Sequence, residues 1–525
     1  MDQPPPRSLG SAHTQIERIS EPWALNRMVA VGVTLVLAML FGSWVASGQF
    51  SNVVLVGVWF AAAMIIIFVQ DQWWSPALVI TAISIETSAL GFPMSGLEIG
   101  MIILAITFPV KMAMKTLRKA EPVMDAGILY WLLLAYVCVH AVIILGYNHL
   151  DGVPLKNIVK AYYAAITPLI FYGLLIRYCY TYTVKPAAIA IYTATFIAVF
   201  FSIITVVKGI DFQPFSDLKI SIDWLSYGGA TGVLRNSPVY LFIGSLAFWP
   251  ATHSPRARFI LAMGVCFGLL GVLLGGGRLS LASCILGAAS FAFIRKRIWV
   301  ALPAIVLTAL ISVLITAKPD VLNSLPGMFQ RALTPLNFSD QQTDVEQGLE
   351  GSDDWHRDLR NRSIDYWTQD TKSFWLGHGF KPWDPSLDSE IEAGNFDYEA
   401  NLQIAIEMGR TENMFSAITN IFGLTGLLLY AAFLIDLAWR LWKAARVSPF
   451  GTPARAICEF SLTVLLIAFA LSLLGGGPPN ITLIYWQLGI LAARPYIMAK
   501  AAGKKVEPEE DALPAFIPKG LRAMR

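Results

Sequence analysis

The chain has 525 residues, 55% of them hydrophobic and 14% charged, with a mean hydropathy of +0.57 and a formal net charge of +3. A soluble domain carries about 25% charged residues, so most of this chain is not solvated by water. Secreted, disordered, collagenous and disulfide-stapled classes are excluded. The five cysteines (Cys138, Cys179, Cys266, Cys284 and Cys458) fall in or beside apolar runs, form no CxxC pair and read as small buried hydrophobes.

An apolar run of about 20 residues crosses the hydrocarbon layer as a helix. Fourteen such runs follow one another, at about 28–46, 52–70, 74–92, 97–113, 125–145, 157–176, 187–206, 237–252, 259–275, 279–294, 298–317, 413–436, 456–474 and 480–494. The third and fourth are interrupted by Glu86, Glu98 and several Gly and Pro residues. The first lies too far from Met1, and too close to the second, to read as a cleaved signal peptide. The expected fold is an all-α polytopic membrane protein with about 14 transmembrane helices. A cytoplasmic tail occupies 1–27, helices one to eleven 28–317, a large outside loop with short helices 318–412, helices twelve to fourteen 413–494, and a second cytoplasmic tail 495–525.

Lys and Arg set the orientation. With the first tail inside, the inside connections and tails hold 25 of them, among them Arg27, Lys119, Arg295, Arg455 and Arg494. The short outside connections hold six: Lys156, Lys160, Lys208, Lys219, Arg235 and Arg278. Parity and charge agree, so both termini are expected in the cytoplasm.

The connection 318–412 stands apart, because loops of roughly 95 residues are usually functional. It carries eighteen acids against eight bases, half of the protein's 36 acidic residues. Residues 340–354 read as a polar, mobile stretch. The pattern from Trp355 to Trp367 predicts an amphipathic helix capped by Asp353 or Asp354, and 397–408 predicts a second short helix.

Candidate chemistry gathers on the outside face: Lys156 and Lys160, Arg235, Arg278, the group His356, Arg357, Arg360 and Arg362, and Glu412 beside Arg410. Arginines converging on one surface suit a phosphate or diphosphate, since the guanidinium fork matches phosphate oxygens and stays charged at any working pH. Each has a plainer reading. Lys156 and Lys160 can snorkel from an interfacial helix, and the arginines of 355–367 can be a solvated face paired to Asp354, Asp358 and Asp365. His356 and His378 are too far apart and too unaccompanied to argue for a metal.

Three stretches carry a resemblance: TGVLRNSPVYL (231–241), GGGRLSLASCILG (275–287), and RNRSIDYWTQDTKSFWLGHGF (360–380) followed by TENMFSAITNIFGLTGLLLY (411–430). In order and placement they resemble the O-antigen ligase and polymerase superfamily, bacterial inner-membrane glycosyltransferases that use polyprenyl-diphosphate-linked glycans on the periplasmic face. Two departures stand out. The family's ligases place His directly before the Asn that opens the span after the large loop, whereas this chain has Glu412 before Asn413. The Arg of the closing unit matches Arg362 best and Arg360 next.

The resemblance implies sugar transfer without metal, cofactor or nucleotide sugar, and without nucleic acid. The partners would be a polyprenyl-diphosphate-linked oligosaccharide, a growing glycan acceptor, the lipid bilayer and other polysaccharide-assembly proteins. Arg278 and Arg362, helped by Arg235, Arg360 or Lys156 and Lys160, would stabilise the leaving diphosphate. Glu412, beside Asn413, would be the base for the acceptor hydroxyl. Arg410 would lower its basicity if it points toward it, which leaves His356 as an alternative proton acceptor. Trp355, Trp367, Trp375 and Trp383 would offer flat faces to sugar rings or serve as loop core. Glu412 in place of His favours a polymerase over a ligase. A transporter or flippase is the rival from another class, but the span halves show no duplication.

A reporter active only outside the cytoplasm is expected to be active when fused after Asp370 and silent after Arg446. The reverse pattern would overturn the charge-based orientation.

Overall fold

The computed structural model describes residues 85–87, 94–95, 125–150, seven positions between 162 and 176, 184–209, 220–222, 225–296, 298–318, 320, 322, 324–336, 344–379, 398–407, 414–474 and 482–503. Of the expected spans, the first two and the fourth, most of the third, and much of the sixth lie outside these residues. The described chain is predominantly helical. Its helices are α1 (Ile128–Leu150), α2 (Val184–Lys208), α3 (Tyr227–Phe248), α4 (Pro255–Gly275), α5 (Arg278–Ile294) and α6 (Ile298–Ala317). There follow α7 (Gly327–Leu333), α8 (Asp344–Trp367), α9 (Thr371–Leu376), α10 (Tyr398–Glu407), α11 (Met414–Val447), α12 (Pro453–Leu474) and α13 (Thr482–Ala501).

Four described helical stretches are long and apolar enough to cross a membrane: Val184–Lys208, Pro255–Gly275, Phe415–Val447 and Pro453–Ala470. Their free faces are as apolar as their packed ones, with Val207, Phe259 and Ile435 at least 63% exposed. A helix apolar all round belongs in lipid rather than on a water-washed surface. The bilayer is the medium these faces fit.

The packed core lies where α12 meets α2, α3, α5, α11 and α13. The tightest pairing is α3 against α4, and its cause is legible in α4. Gly264, Gly268, Gly271 and Gly275 recur on one face, and without side chains they let α3 approach to backbone distance. A Cβ at Gly268 would stand 3.0 Å from the Pro238 carbonyl oxygen. Pro238 sits inside α3, where it supplies no N–H to the carbonyl one turn back.

Basic residues hold one end of the bundle. Arg295 donates to Glu459 of α12 at 2.8 Å and to the Leu246 and Ala247 carbonyls of the last α3 turn at 3.1 and 3.3 Å. Arg455 donates to the other Glu459 oxygen at 2.7 Å. Arg494 is buried and donates to the Ile176 carbonyl. These arginines, read above as loop and tail charges, are packed ties between helices. Since α13 runs on to Ala501, the boundary at 494 falls inside a helix.

Several expectations are corrected. Ile85–Thr87, inside the third expected span, is a short strand, β1, pairing antiparallel with β2 (Met94–Ser95) and β3 (Ile220–Ile222) in the order β2-β1-β3. Glu86 therefore belongs to a strand and not to a membrane helix. Helix α3 begins ten residues before the expected 237, which puts Arg235 within the helix rather than in a connection. Helix α8 starts at Asp344, so most of the stretch expected to be mobile is helical. The helix α10 matches the expected 397–408 closely. Helices α7 and α9 were not anticipated, being too short to show a periodic pattern.

Helix α11 is broken. Gly423 takes φ 65° and ψ −172°, which separates 414–422 from 424–447. The second part alone measures about 36 Å at 1.5 Å per residue, enough to span a bilayer core. Residues 377–379 dock into the break: the His378 amide donates to the Asn420 carbonyl at 2.6 Å and the Gly379 amide to Ile421 at 3.0 Å. The Tyr136 hydroxyl from α1 donates to the Phe422 carbonyl at 2.6 Å. Gly377 and Gly423 both have positive φ, and each lies where a Cβ would overlap the other segment's backbone.

Gly377→Ala and Gly423→Ala are expected to cost on the order of 3 kcal/mol each, combining left-handed strain with overlap. Gly209→Ala, also at positive φ (61°) but in open space, should cost only about 1 kcal/mol. Thermal unfolding in detergent micelles checks the contrast; equal losses at all three sites would overturn it.

Candidate functional site

Two groups of expected residues take shape around two pieces of backbone. The first is the turn Gly275-Gly276-Gly277 between α4 and α5. Gly276 closes α4 in the left-handed conformation (φ 62°), and Gly277 occupies the N-cap of α5 without a side-chain cap. Arg278, the first residue of α5, is half-buried. A Cβ at Gly275 would stand 3.1 Å from the Arg235 backbone nitrogen, and the Ser280 hydroxyl donates to the Arg235 carbonyl. The turn thus brings Arg235 and Arg278, 43 residues apart in sequence, to one end of the α3–α5 group. Ser280 and the three glycines were visible as small residues, but their role in joining the two arginines needed the tertiary contact.

The second group lies on α8. His356 and Arg362 are half-buried, and Arg360 is exposed. Arg362 pairs with Glu399 of α10, a partner not among the three acids expected from sequence, and Arg357 pairs with Asp354 at 2.7 Å. Beneath them Leu359, Leu402 and Ile406 form a small core with Trp355 and Tyr366 against it. The Tyr398 hydroxyl donates to Asp358 at 3.0 Å, and its ring meets Trp355 edge-on at 5.4 Å. Of the loop tryptophans, Trp355 and Trp367 are core, while Trp375 is 48% exposed. Helix α7 packs against α4, α5 and α8, and so connects the two groups.

The closing unit 360–380 and 411–430 is one structural body. Trp367 stacks on Phe374 at 5.0 Å and its indole N–H donates to the Phe374 carbonyl at 2.9 Å, folding α9 back on α8. His378 stacks on Tyr366 at 3.9 Å and contacts its carbonyl through Nε2 at 3.0 Å. Below, the buried His140 of α1 lies 2.7 Å from the Leu376 carbonyl through Nε2 and 2.9 Å from the Tyr162 hydroxyl through Nδ1. A carbonyl only accepts, so Nε2 carries the proton and Nδ1 accepts from Tyr162 in the neutral ring. Sequence reading passed over His140, since a lone His in an apolar run carries no local signal. Asn420 and Ser416, one turn apart on α11 and at least 97% buried, lie in this body as well.

Lys156, Lys160, Arg410, Glu412 and Asn413 lie outside the described residues, the last two directly before the first residue of α11. Chemically, the glycine turn gathers two arginines at a helix N-terminus, a setting that attracts anions.

No family model matches the chain, and no curated protein matches it.

Asp370 caps α9 and accepts from both the Ser373 amide and the Ser373 hydroxyl at 2.8 Å. These two bonds hold its carboxyl below the usual carboxylate range. A depressed folded-state value means the contribution is complete above the unfolded value of about 3.9 and is lost as pH falls through the folded one. The protection of the 373–379 amides, measured relative to the intrinsic exchange rate at each pH, is expected to fall on acidification in the native protein. Asp370→Asn should flatten that difference, and an unchanged acid response would remove Asp370 as its source.

Proposed function

We propose that the chain is a membrane glycosyltransferase that polymerises a bacterial surface polysaccharide, either O-antigen or exopolysaccharide, on the periplasmic face of the inner membrane. The observation that carries the reading is the junction of Arg235 and Arg278 at the Gly275–Gly277 turn. It is supported by the arginine-bearing α8, tied through α9 to the α11 break, and by apolar helices that fit a bilayer. The donor is a polyprenyl-diphosphate-linked oligosaccharide, its lipid in the outer leaflet and its diphosphate at the turn.

In the reaction the acceptor hydroxyl gives its proton to Glu412 and attacks the anomeric carbon with inversion. The bond from that carbon to the diphosphate oxygen breaks, and its electron pair leaves with the diphosphate. Arg278 and Arg235 stabilise that growing charge where it develops, which is the most effective place for a fixed cation. Arg362, with Arg360 and His356 along α8, faces the donor from the loop side. Its pairing with Glu399 means that it exchanges one carboxylate for the phosphate when the donor binds. Lys156, Lys160, Arg410 and Asn413 complete the set of polar groups assigned to the substrates. Helix α10, with its acidic partners, is then the element that moves or holds Arg362.

Arg278→Ala is expected to lower transfer roughly a hundredfold, the usual scale for removing one transition-state donor, whereas Arg278→Lys keeps the charge without the fork and retains part of the rate. Glu412→Gln should abolish turnover while donor binding stays near normal. In cells the Arg278→Ala strain should show single repeat units on a surface-polysaccharide gel. Intact polymer left on its lipid carrier would instead mean a ligase, and repeat units trapped inside would mean a flippase. Unchanged polymer would discard the site.

A further inference from the structure

Beyond the Gly423 break, α11 carries a stripe whose chemistry changes along its length. Leu428, Ile435, Trp439, Trp442 and Arg446 follow one another at steps of seven, four, three and four residues, which puts them on one face of the helix. Leu428, Ile435 and Trp439 are each more than half exposed. The order along the stripe is apolar, then aromatic, then basic. At 1.5 Å per residue Ile435 and Arg446 lie about 17 Å apart along the axis, close to the ~20 Å of one bilayer leaflet with its headgroups.

The two cations at the end of the stripe are seated on rings. The Lys443 Nζ stands 4.8 Å from the centre of the Trp439 ring, and the Arg446 guanidinium carbon stands 4.6 Å from that of Trp442. Both side chains are exposed. A ring face orients a cation without neutralising it, so each charge is held in place and still open to an anion. A second helix flanks the stripe. Helices α5 and α11 both pack on α12, and Phe293 of α5 meets the Trp442 ring at 5.7 Å. Phe293 is exposed, and three residues later the exposed Lys296 turns the chain out of α5 in the left-handed conformation (φ 53°). Aromatic rings and basic side chains from two helices therefore gather at the end of the bundle where Arg295 and Arg455 hold Glu459.

We infer that Lys443 and Arg446, seated on Trp439 and Trp442, bind the headgroup phosphate of an anionic phospholipid whose acyl chain lies along Ile435 and Leu428. Tryptophan belongs at headgroup level, where its ring is buried in apolar matter and its edge is wet, and basic side chains beside it attract lipid phosphate. The occupant is a lipid and not a soluble anion because the cations continue directly into exposed apolar side chains on a helix long enough to cross a membrane. Phe293 lies at the far end of α5 from Arg278, about 22 Å along the helix, so this site is separate from the glycine turn. The inference therefore stands apart from the transferase reading.

The test is a lipid titration of the full-length protein in nonionic detergent, followed by native mass spectrometry, with phosphatidylglycerol as the probe and phosphatidylcholine of the same acyl chains as the control. Lys443→Gln and Arg446→Gln are each expected to weaken phosphatidylglycerol roughly fivefold, the scale of one basic side chain at an anionic surface, and the double variant more than either. Arg446→Lys should retain most of the affinity. Trp442→Leu keeps an apolar side chain but removes the seat of Arg446, and should weaken phosphatidylglycerol as Arg446→Gln does. Phosphatidylcholine binding should be the same in every variant, which shows the helices still packed. Phosphatidylglycerol affinity unchanged within twofold in the double variant overturns the proposal. So does an equal loss in Lys208→Gln, an exposed lysine of α2, because it would mean diffuse attraction by net charge. Displacement of phosphatidylglycerol by an equal concentration of inorganic phosphate would make this a site for a soluble anion and likewise overturn it.

Discussion

The rest of the described structure depends on the opened backbone of α11 at Gly423. A helix that stops hydrogen-bonding to itself in an apolar setting must find other donors, because no water is at hand to supply them. Here the donors come from two directions. The amides of His378 and Gly379 reach the Asn420 and Ile421 carbonyls, and the Tyr136 hydroxyl reaches Phe422. Three consecutive carbonyls thus join α11 to the segment after α9 and to α1. The long polar connection is therefore anchored into the helix bundle, not tethered only at its ends. Broken helices of this kind are where membrane proteins place irregular backbone next to working side chains.

The same junction explains why the buried His140 is tolerated. Its two nitrogens are satisfied by the Leu376 carbonyl and the Tyr162 hydroxyl, and the first of these partners is in place only once the loop segment has docked. An unsatisfied imidazole in this setting would cost several times what a paired one contributes. Docking of the loop therefore completes the polar contacts of α1, whose Tyr136 is bonded directly to α11. The aromatic rings of Tyr136, Tyr162 and Phe422 around His140 fill the remaining space.

At the other end of the bundle, charge does a different task. Glu459 is held between Arg295 and Arg455, and Arg295 also closes the last carbonyls of α3. Breaking such a buried set by removing one partner costs far more than the set contributes. The arginines that orient a membrane chain by their sidedness here also bind α3, α5 and α12 together.

How much of this was legible beforehand follows from the range of each interaction. Helix positions were readable where apolar runs are long, and the limits of α5, α6 and α12 were met within a few residues. The α8–α10 pair was legible from the amphipathic pattern of WHRDLRNRSIDYW and the apolar positions of 398–407. Local periodicity could not show β1 inside an apolar stretch, because pairing with Ile220–Ile222 is made far along the chain. Nor could it show His140, which has no neighbour in sequence that marks it. Composition and periodicity by themselves determined that the chain is helical, apolar and suited to a bilayer, since those properties are sums over near neighbours. Only the tertiary structure decided that glycines at 275–277 would bring Arg235 and Arg278 together, and that those at 377 and 423 would join the loop to α11. Close backbone approach depends on what stands opposite a missing side chain, and that partner is some 40 residues away, up to about 150 Å of extended chain, until the protein folds.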